Sequence, residues 1–572
     1  MSIAPFEQPF AHGIYKQKYA HPGEEWATTA KRVSHYVLGA LDLDGSDHYY
    51  RLRDLITSRQ FMPGGRYLYA AGRDLHQTQN CLLLRADDTR EGWADLTRKS
   101  TMALMTGAGI GIDYSAVRAS GSIIARTGGI ASGPISLMKM INEVGRNVMQ
   151  GGSRRSAIWA GLAWWHADVF DFIESKNWSE EVRALKEADF TFPADLDMTN
   201  ISVQLDRSFF DAYSGNENTI IDQRVEDLAD ENGAVELGSD VYCAPDGGTW
   251  QAWAKRVYEE TTDRMLRTAE PGFSVDYENR HESLRNACTE VTSEDDSDVC
   301  NLGSLNMARF DTLDQFSSAV RDATLFLVAG TVYSDLPYDE VYETREKNRR
   351  LGLGVMGIHE WLLKRGRKYG PDAELAKWLE AYERSTEYAW DWADRFGLSR
   401  PVKTRAIAPT GTIGIVAETT TGIEPIFCAA YKRRVRNAGV RKDTIEFEYV
   451  VDPTAKRLID QGVDPSTIED AYTLSYDVER RVQFQAWVQQ YVDHGISSTI
   501  NLPYPISDKA EQADFGRTLL EYLPKMRGVT VYPDGARGGQ PLSPVPVDYA
   551  LENSGVRFEE SEERCVGGAC GV

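Results

Sequence analysis

The chain has 572 residues, of which 42% are hydrophobic and 10% aromatic, so it can bury at least one large core. Its formal net charge of −23 argues against a protein that coats nucleic acid, because such proteins follow the phosphates with a basic face. Seven scattered cysteines argue against a small disulfide-rich secreted protein, and no run of about 18 apolar residues predicts a membrane-spanning helix.

The N-terminal region is predicted to be helical. Apolar residues recur at helical spacing over residues 24–43 and 49–59, so we expect a small helical region at residues 1–60. The first residues lack the basic segment and apolar run of a secretory signal. We therefore expect a cytoplasmic protein without a membrane partner, whose thiols stay reduced unless chemistry oxidises them.

From residue 61 the chain alternates between short apolar runs, several of them rich in glycine, and longer amphipathic stretches. The short runs include those that begin at Ala108, Ile158, Asn200, Gly352 and Thr404. This alternation over residues 61–534 predicts an α/β fold with parallel strands. Beyond it the composition turns to Gly, Pro and Glu, so residues 535–572 are expected to form a flexible tail.

A glycine-rich loop with two arginines follows an amphipathic stretch at residues 135–149. Its residues Gly152, Ser153, Arg154 and Arg155 suit the recognition of a phosphate or a nucleobase, because a guanidinium group binds phosphate oxygens in a bidentate manner. A solvated pair of arginines is the alternative interpretation.

Three polar residues alternate in the sequence Asn286-Ala-Cys288-Thr-Glu290. In an extended segment alternate side chains share one face, so an amide, a thiol and a carboxylate would converge on one small volume. The carboxylate can act as a general base, and its charge disfavours ionisation of a neighbouring thiol. The motif therefore favours a neutral thiol or a thiyl radical at Cys288 over cysteine-hydrolase chemistry, and chance is the alternative.

The sequence Pro409-Thr410-Gly411-Thr412-Ile413 has the form of a strand end, a glycine turn and a helix start. Free backbone N–H groups and hydroxyls at a helix start can bind an anion, so this stretch predicts a phosphate-binding loop. It is not a Walker A loop, because no lysine follows the glycine at the required spacing. A plain turn is the alternative.

The remaining cysteines differ in their surroundings. Cys565 and Cys570 follow an acidic stretch and flank a spacer that contains two glycines. Such a spacer lets two cysteines reach the Cα separation of about 4.4–6.8 Å that a disulfide needs, and separate again. The pair therefore predicts a mobile dithiol that carries reducing equivalents, with two unpaired surface thiols as the alternative. Cys243 and Cys428 lack polar partners in sequence and are expected to be ordinary buried residues.

Two further patterns carry little weight. Residues 352–357 match the glycine fingerprint of dinucleotide-binding folds, but charged residues rather than an apolar strand precede them. The chain has no HExxH motif and no CxxC pair, so we predict no metal ligands.

Together these motifs resemble the catalytic subunit of ribonucleotide reductases, from about residue 61 to the C-terminus. Cys288 looks like the family's thiyl-radical cysteine, with Asn286 and Glu290 beside it, and Cys81 and Cys300 look like its active-site redox pair. Cys565 and Cys570 resemble the family's dithiol shuttle, and its phosphate loop is matched by Pro409, Thr410, Gly411, Thr412 and Ile413. Other substrate contacts of the family are matched by Asn80, Ala108 and Gly109. Its effector-specificity loop is matched by Gly152, Ser153, Arg154 and Arg155.

The resemblance implies that residues 61–534 form a ten-stranded α/β barrel of two five-stranded parallel halves, with a central finger loop. Members that depend on a separate radical-generating subunit typically have two adjacent tyrosines before the tail, whereas this chain has Tyr532 alone. Residues 496–503 also resemble the adenosylcobalamin-dependent class, so we predict adenosylcobalamin as the cofactor. The alternatives are a subunit that borrows its radical from a partner protein, and a thiol-redox or binding scaffold without radical chemistry.

The family's chemistry would assign these residues as follows. Cys288, as a thiyl radical, takes the 3′ hydrogen of the ribose, while Glu290 accepts the 3′-hydroxyl proton and Asn286 orients the hydroxyl groups. Cys81 and Cys300 supply electrons as the 2′-hydroxyl leaves as water, and they end as a disulfide. The tail dithiol then reduces this disulfide and is recharged by thioredoxin or a similar dithiol protein.

The resemblance also implies the ligands. We expect a ribonucleoside diphosphate as substrate, with a triphosphate as the alternative, and nucleoside triphosphates as specificity effectors. A homodimer without nucleic-acid partners is the expected assembly.

Overall fold

The computed structural model describes residues 6–79, 81–124, 127–148, 156–188, 192–228, 242–278, 281–434, 445–536 and 542–560. Its α-helices are α1 (Pro9–Lys18), α2 (Trp26–Gly39), α3 (Asp47–Thr57), α4 (Gly65–Ala70), α5 (Arg90–Met105), α6 (Gly133–Asn147), α7 (Val169–Glu174), α8 (Glu180–Ala188), α9 (Arg207–Tyr213), α10 (Asn218–Leu228), α11 (Trp250–Thr268), α12 (Leu313–Tyr333), α13 (Asp339–Asn348), α14 (Ile358–Lys364), α15 (Ala373–Glu383), α16 (Ser385–Phe396), α17 (Gly411–Ala417), α18 (Pro453–Asp460), α19 (Ala471–Leu474), α20 (Val478–Gln489), α21 (Lys509–Tyr522) and α22 (Val547–Glu552).

Its β-strands are β1 (Phe61–Pro63), β2 (Cys81–Arg85), β3 (Gly109–Asp113), β4 (Ile123–Ile124), β5 (Gly129–Ile130), β6 (Ile158–Ala163), β7 (Thr199–Asp206), β8 (Gly272–Asp276), β9 (Leu284–Arg285), β10 (Thr292–Ser293), β11 (Asp298–Asn306), β12 (Leu351–Met356), β13 (Ala430–Arg434), β14 (Ile445–Val451), β15 (Thr499–Leu502), β16 (Gly528–Pro533), β17 (Leu542–Pro544) and β18 (Arg557–Glu560). No described helix has the length and apolarity of a segment that crosses a bilayer.

Five parallel strands form the first half of a barrel. In parallel, β2 pairs with β3, β3 with β6, β6 with β7, and β7 with β8. Each connection between consecutive strands of this half contains at least one helix, as parallel neighbours require. Outward residues such as Ile110, Leu162 and Val203 pack together in one hydrophobic core between the strands and these helices.

The second half also has five parallel strands. β11 pairs with β12, and β15 pairs with β16. The extended segment 404–408 joins the two pairs, because it bridges in parallel to Leu353 of β12 on one side and to Ile496, just before β15, on the other. The N–H group of Ala406 donates to the carbonyl of Leu353 over 3.0 Å, which fixes the register of the segment.

Two antiparallel contacts close the halves into a ring of ten strands. Cys81 in β2 pairs with Cys300 in β11, and Phe273 in β8 pairs with Val529 in β16. The two parallel halves therefore run in opposite directions, and each of the ten strands has a neighbour on both sides. The expected ten-stranded barrel is confirmed, and β1 adds to the far end of β11.

The N-terminal helical region is present as α1, α2 and α3. The helices α2 and α3 contact α12, which also contacts β11 and β12 of the second barrel half. Val33, Leu52 and Phe326 belong to the hydrophobic core that joins these elements. This packing makes the N-terminal region part of the layer that covers the second half.

Part of the stretch expected as a flexible tail is folded. β17 pairs with β13 and β18 pairs with β14, so residues 542–560 complete a four-stranded antiparallel sheet. Ala550 of α22 is buried in a small core with Ala430 and Val451. The structure differs from the expectation because the Gly- and Pro-rich sequence after residue 535 marks a connection to another sheet rather than the end of the fold.

Candidate active site

A short hairpin lies inside the barrel. Its strands β9 and β10 pair antiparallel, with Thr292 opposite Arg285, and Cys288 lies in the turn between them. The hairpin passes so close to β3 that a Cβ atom at Gly111 would lie 1.9 Å from the carbonyl oxygen of Arg285. A residue without a side chain is therefore required at this point of β3.

Two more glycines hold the tip of the hairpin. A Cβ atom at Gly109 would lie 3.0 Å from the Cβ of Ala287. On the opposite side, the N–H group of Gly495 donates to the carbonyl of Glu290 over 2.7 Å. The turn itself places Thr289 at a φ of +67°, in the left-handed region. The tip is thus fixed between β3 of the first half and the strand that leads into β15 of the second.

Asn286 closes the turn that carries Cys288. Its Oδ1 accepts the N–H of Val291 over 3.0 Å, and its carbonyl accepts the N–H of Thr289 over 3.0 Å. Its side chain is also within hydrogen-bond reach of the Cys81 thiol and the Glu290 carboxyl. The amide, thiol and carboxyl of the sequence motif do converge, although through a turn rather than through the extended segment that the alternation predicts.

The cysteines at positions 81 and 300 lie directly opposite each other on adjacent antiparallel strands. Residues in this arrangement have Cα atoms about 4.5–5.5 Å apart, which is within the range for a disulfide. Both side chains are thiols here, and both are buried in one small cluster with Leu83, Leu284 and Val291. Burial raises the pKa of each thiol well above its usual value, so both are held in the protonated form.

Glu290 is a buried carboxyl with an unused oxygen. The side chain is 1% exposed, and its Oε2 atom has no hydrogen-bond partner among the described residues. Burial raises the pKa of Glu290 to about 7, while the hydrogen bond from Asn286 acts in the opposite direction. A carboxyl with this pKa can take up and release a proton near neutral pH, as a general base requires.

We expect the activity to depend on the ionisation of Glu290. The base is the charged form, so kcat should rise with pH through about 7, and Glu290→Gln should lower kcat by about 10²–10⁴-fold and remove this inflection. The measurement is kcat from pH 5.5 to 8.5 for both proteins. An unchanged inflection near pH 7 in Glu290→Gln would assign the titration to another group.

The same shift predicts how stability changes with pH. The folded-state pKa of about 7 exceeds the reference value of 4.5, so the favourable contribution of this carboxyl is complete below about pH 4.5 and is lost as pH rises through 7. Wild type should therefore lose stability relative to the uncharged Glu290→Gln variant between pH 5 and pH 8 in urea unfolding.

The predicted phosphate loop forms a left-handed turn followed by α17. Thr410 has a φ of +48°, its carbonyl accepts the N–H of Gly414 over 2.7 Å, and its hydroxyl accepts the N–H of Gly422 over 2.9 Å. Gly411 and Thr412 at the start of α17 are exposed, so their N–H groups point out of the helix without intrahelical acceptors. This geometry can accept an anion, as the sequence predicts.

The other end of α17 is tied to the N-terminal region. Arg59 and Glu418 form an ion pair of 2.7 Å, with both side chains 1% exposed. The second oxygen of Glu418 accepts the N–H of Gln8 over 2.8 Å. The helix that begins with the phosphate loop is therefore anchored from behind by residues near the start of the chain.

The barrel interior has a polar, solvent-exposed face that the motif analysis missed. In β16, Val529 and Val531 pack outward in the core, so Thr530 between them faces inward, and it is exposed. In β7, Asn200 is exposed on the corresponding face, next to the outward-packed Ile201. The signal in the sequence was the alternation of polar and apolar residues in these strands, which predicts one buried and one open face.

The remaining predicted site residues lie partly inside and partly outside the described ranges. Ala108 is buried just before β3, and Gly109, the first residue of β3, lies against the hairpin. Other predicted residues lie outside the described part of the chain, namely Asn80, Gly152, Ser153, Arg154, Arg155, Cys565 and Cys570. Cys428 is buried, as expected of an ordinary core cysteine, whereas Cys243 is partly exposed. Within the described ranges, no group of three or more His, Cys, Asp or Glu side chains is arranged to hold a metal ion.

Comparison with known proteins gives a family match and several relatives. The family described as "Ribonucleotide reductase, barrel domain" matches residues 79–391 and 374–522. The chain is 26% identical over 551 residues to a vitamin B12-dependent ribonucleoside-diphosphate reductase of Thermoplasma acidophilum, covering 87% of this chain and 66% of the relative. It is 28% identical over 568 residues to a protein of the same name from Mycobacterium tuberculosis, covering 91% of this chain and 76% of the relative.

A ribonucleoside-diphosphate reductase large subunit of Danio rerio is also similar, at 25% identity over 442 residues, covering 72% of this chain and 54% of the relative. The chain thus spans between about half and three quarters of the length of these relatives.

Proposed function

Because this chain belongs to the ribonucleotide reductase barrel family, we propose that it reduces ribonucleotides to 2′-deoxyribonucleotides for DNA synthesis, with adenosylcobalamin as its cofactor. Relatives named as vitamin B12-dependent reductases support the cofactor, and those of Thermoplasma acidophilum and Mycobacterium tuberculosis are named as diphosphate reductases, which favours a ribonucleoside diphosphate as substrate. One relative is named as a putative triphosphate reductase, so the substrate needs the direct test below.

The position of Cys288 is the observation that carries this proposal. Its thiol lies at the tip of a hairpin inside a closed barrel, with the Cys81 and Cys300 thiols and the Glu290 carboxyl close enough to influence one another electrostatically. A barrel wall on all sides limits access of water and oxidants, which protects a radical. A scaffold that exchanged disulfides without a radical would have no need to place a third thiol at the tip of a hairpin inside the barrel.

The chain's own residues would carry the reaction. Cys288, as a thiyl radical, takes the 3′ hydrogen atom, and Glu290 accepts the 3′-hydroxyl proton. Cys81 and Cys300 supply two protons and two electrons and become a disulfide: one proton leaves with the 2′-hydroxyl as water, and the other becomes the new hydrogen on C2′. Glu290 returns its proton to the 3′ oxygen. Cys288 finally returns a hydrogen atom to C3′. Asn286 holds Cys288 and Glu290 in place, and the loop at Thr410 binds the substrate's phosphate.

The exposed interior face of the barrel fits the proposed cofactor. Adenosylcobalamin carries hydroxyl and amide groups around its periphery, and Asn200 in β7 and Thr530 in β16 offer exposed amide and hydroxyl partners on either side of β8. When bound, the cofactor would supply the radical that oxidises Cys288. The face belongs to the same barrel interior as the hairpin, so the protein need not carry the radical over a long distance.

The remaining partners follow from the sequence. We propose that Cys565 and Cys570 reduce the Cys81–Cys300 disulfide and are recharged by thioredoxin or a similar dithiol protein. The loop at Gly152–Arg155 would bind nucleoside triphosphate effectors, and the assembly would be a homodimer. The need for reduced thiols between turnovers favours the cytoplasm as its location.

The purified protein should form deoxyribonucleotides when supplied with adenosylcobalamin, a small dithiol and ribonucleoside diphosphates. Product should form without any second subunit, and the corresponding triphosphates should react more slowly. Activity that appears only with an added radical-generating metalloprotein would overturn the cofactor assignment. No product under either condition would favour a scaffold without radical chemistry.

A further inference from the structure

One end of the barrel has opposite charges on its two halves. Three strands of the first half end in aspartate, namely β3 at Asp113, β7 at Asp206 and β8 at Asp276. Three strands of the second half are each preceded directly by a basic residue, namely β12 by Arg350, the segment 404–408 by Lys403 and β16 by Arg527. Because the halves run in opposite directions, these strand ends and strand starts meet at the same end of the barrel, where the hairpin enters.

Lys403 joins the two arms of the hairpin. Its ammonium group forms a short ion pair with Glu282, which precedes β9, and donates to the hydroxyl of Thr292 in β10 over 3.1 Å. The Thr292 hydroxyl in turn donates to Glu282 over 3.2 Å. Glu282 is 4% exposed and Thr292 is fully buried. One cation therefore binds both arms in a desolvated environment, where such contacts are strong.

Two further cations hold the same arms. Arg350 lies 2.5 Å from Asp298, which accepts the hydroxyl of Ser293 in β10 over 2.6 Å. Arg527 is the second of these cations, and it pairs with Asp276 over 2.8 Å.

Asp276 also accepts the backbone N–H of Glu282 over 3.0 Å. The six charged residues thus form one group around the base of the hairpin, here called the stem cluster: Asp276, Glu282, Asp298, Arg350, Lys403 and Arg527.

The hairpin needs such an anchor because its own ladder is short. β9 and β10 have two residues each, and a two-stranded hairpin of this length is not stable by itself in water. Its tip must nevertheless place Cys288 with an error well below 1 Å for hydrogen transfer to be efficient. Contacts outside the hairpin must therefore set how far it reaches into the barrel.

We propose that the stem cluster sets the depth of the hairpin in the barrel, and that Lys403 is the positioning residue that fixes Cys288 through both arms. Lys403 also leads directly into the segment 404–408 and then into the loop at Thr410. One anchor therefore fixes the hairpin and the proposed phosphate loop relative to each other. The importance of this for catalysis rests on the proposed function, whereas the positioning itself does not.

The test compares Lys403→Met with wild type in three measurements. Amide hydrogen exchange of residues 286–293 and the rate of Cys288 alkylation by iodoacetamide, both followed by mass spectrometry, should each increase by about tenfold or more. With substrate, kcat should fall by about 10²-fold while KM changes by less than about threefold, because the reacting thiol moves and the phosphate contacts remain. Lys403→Arg should recover most of the loss.

Two controls separate positioning from general stability. Lys509→Met removes a surface ion pair with Asp263 and should leave all three measurements unchanged. In the double variant Lys403→Met/Glu282→Gln the buried carboxylate that has lost its lysine partner is neutral as well, so this variant should fold as stably as wild type while its hairpin still exchanges fast.

Unchanged exchange and alkylation in Lys403→Met, or slow exchange in the double variant, would overturn the positioning role. These two measurements need no turnover, so they stand even if wild type makes no deoxyribonucleotide, a result that would count against the proposed function alone.

Discussion

Replacing Cys288 with alanine should lower deoxyribonucleotide formation by at least about 10³-fold while the barrel stays folded. In the proposed reaction this thiol is the group that exchanges a hydrogen atom with the substrate. The side chain is half-buried and lies in a turn fixed by backbone contacts from Asn286 and Gly495, so removing its sulfur leaves the turn intact. The measurement is product formation with adenosylcobalamin and a dithiol, together with the urea midpoint of unfolding.

Cys243→Ser provides the matched control, because it removes a partly exposed thiol remote in sequence from the motif. It should retain activity within about twofold of wild type, since surface substitutions usually have small effects. Substantial product from Cys288→Ala, above about a tenth of the wild-type rate, would refute the radical assignment of this residue.

The second large effect is expected for Gly111→Ala in β3. The added methyl group would lie 1.9 Å from the carbonyl oxygen of Arg285 and 3.0 Å from the carbonyl carbon of Asn286, so the hairpin backbone must move. Overpacking of this kind costs about 1–3 kcal/mol or more in the free energy of unfolding. A shift of about 1 Å at the hairpin lowers kcat by about 10²-fold even if the protein folds.

Gly39→Ala is the control substitution, because Gly39 ends α2 and a Cβ atom there would meet no atom within 4 Å. This variant should be as stable and as active as wild type. The comparison uses the urea midpoint and kcat of both variants. If Gly111→Ala kept full activity and stability, the hairpin could not lie as close to β3 as described.

The barrel strands were readable from sequence because parallel strands covered by helices are buried on their outer faces and appear as apolar runs. The runs beginning at Ala108, Ile158, Asn200 and Gly352 correspond to β3, β6, β7 and β12, and each begins within one residue of its strand. The closure of the ring was implied by family resemblance alone. No local pattern in β2 and β11 shows that Cys81 and Cys300 are paired neighbours.

The site residues could be predicted from the sequence where they share one short motif. Asn286, Cys288 and Glu290 lie within five consecutive positions, so their spacing predicts that they are close, although a turn rather than an extended segment brings them together. The stem cluster could not be predicted, because each member is a single charged residue separated from its partner by many positions. Lys403 and Glu282 are 121 residues apart, and the sequence around each of them does not distinguish a buried ion pair from two solvated charges.

The place of the hairpin in the chain has a consequence for biosynthesis. It lies between β8 and β11, after the first barrel half is complete and before the second begins. A growing polypeptide therefore exposes the first half and the hairpin together, and the later strands can wrap around a loop that is already there. No segment has to be threaded through a finished ring, a step that natural topologies avoid.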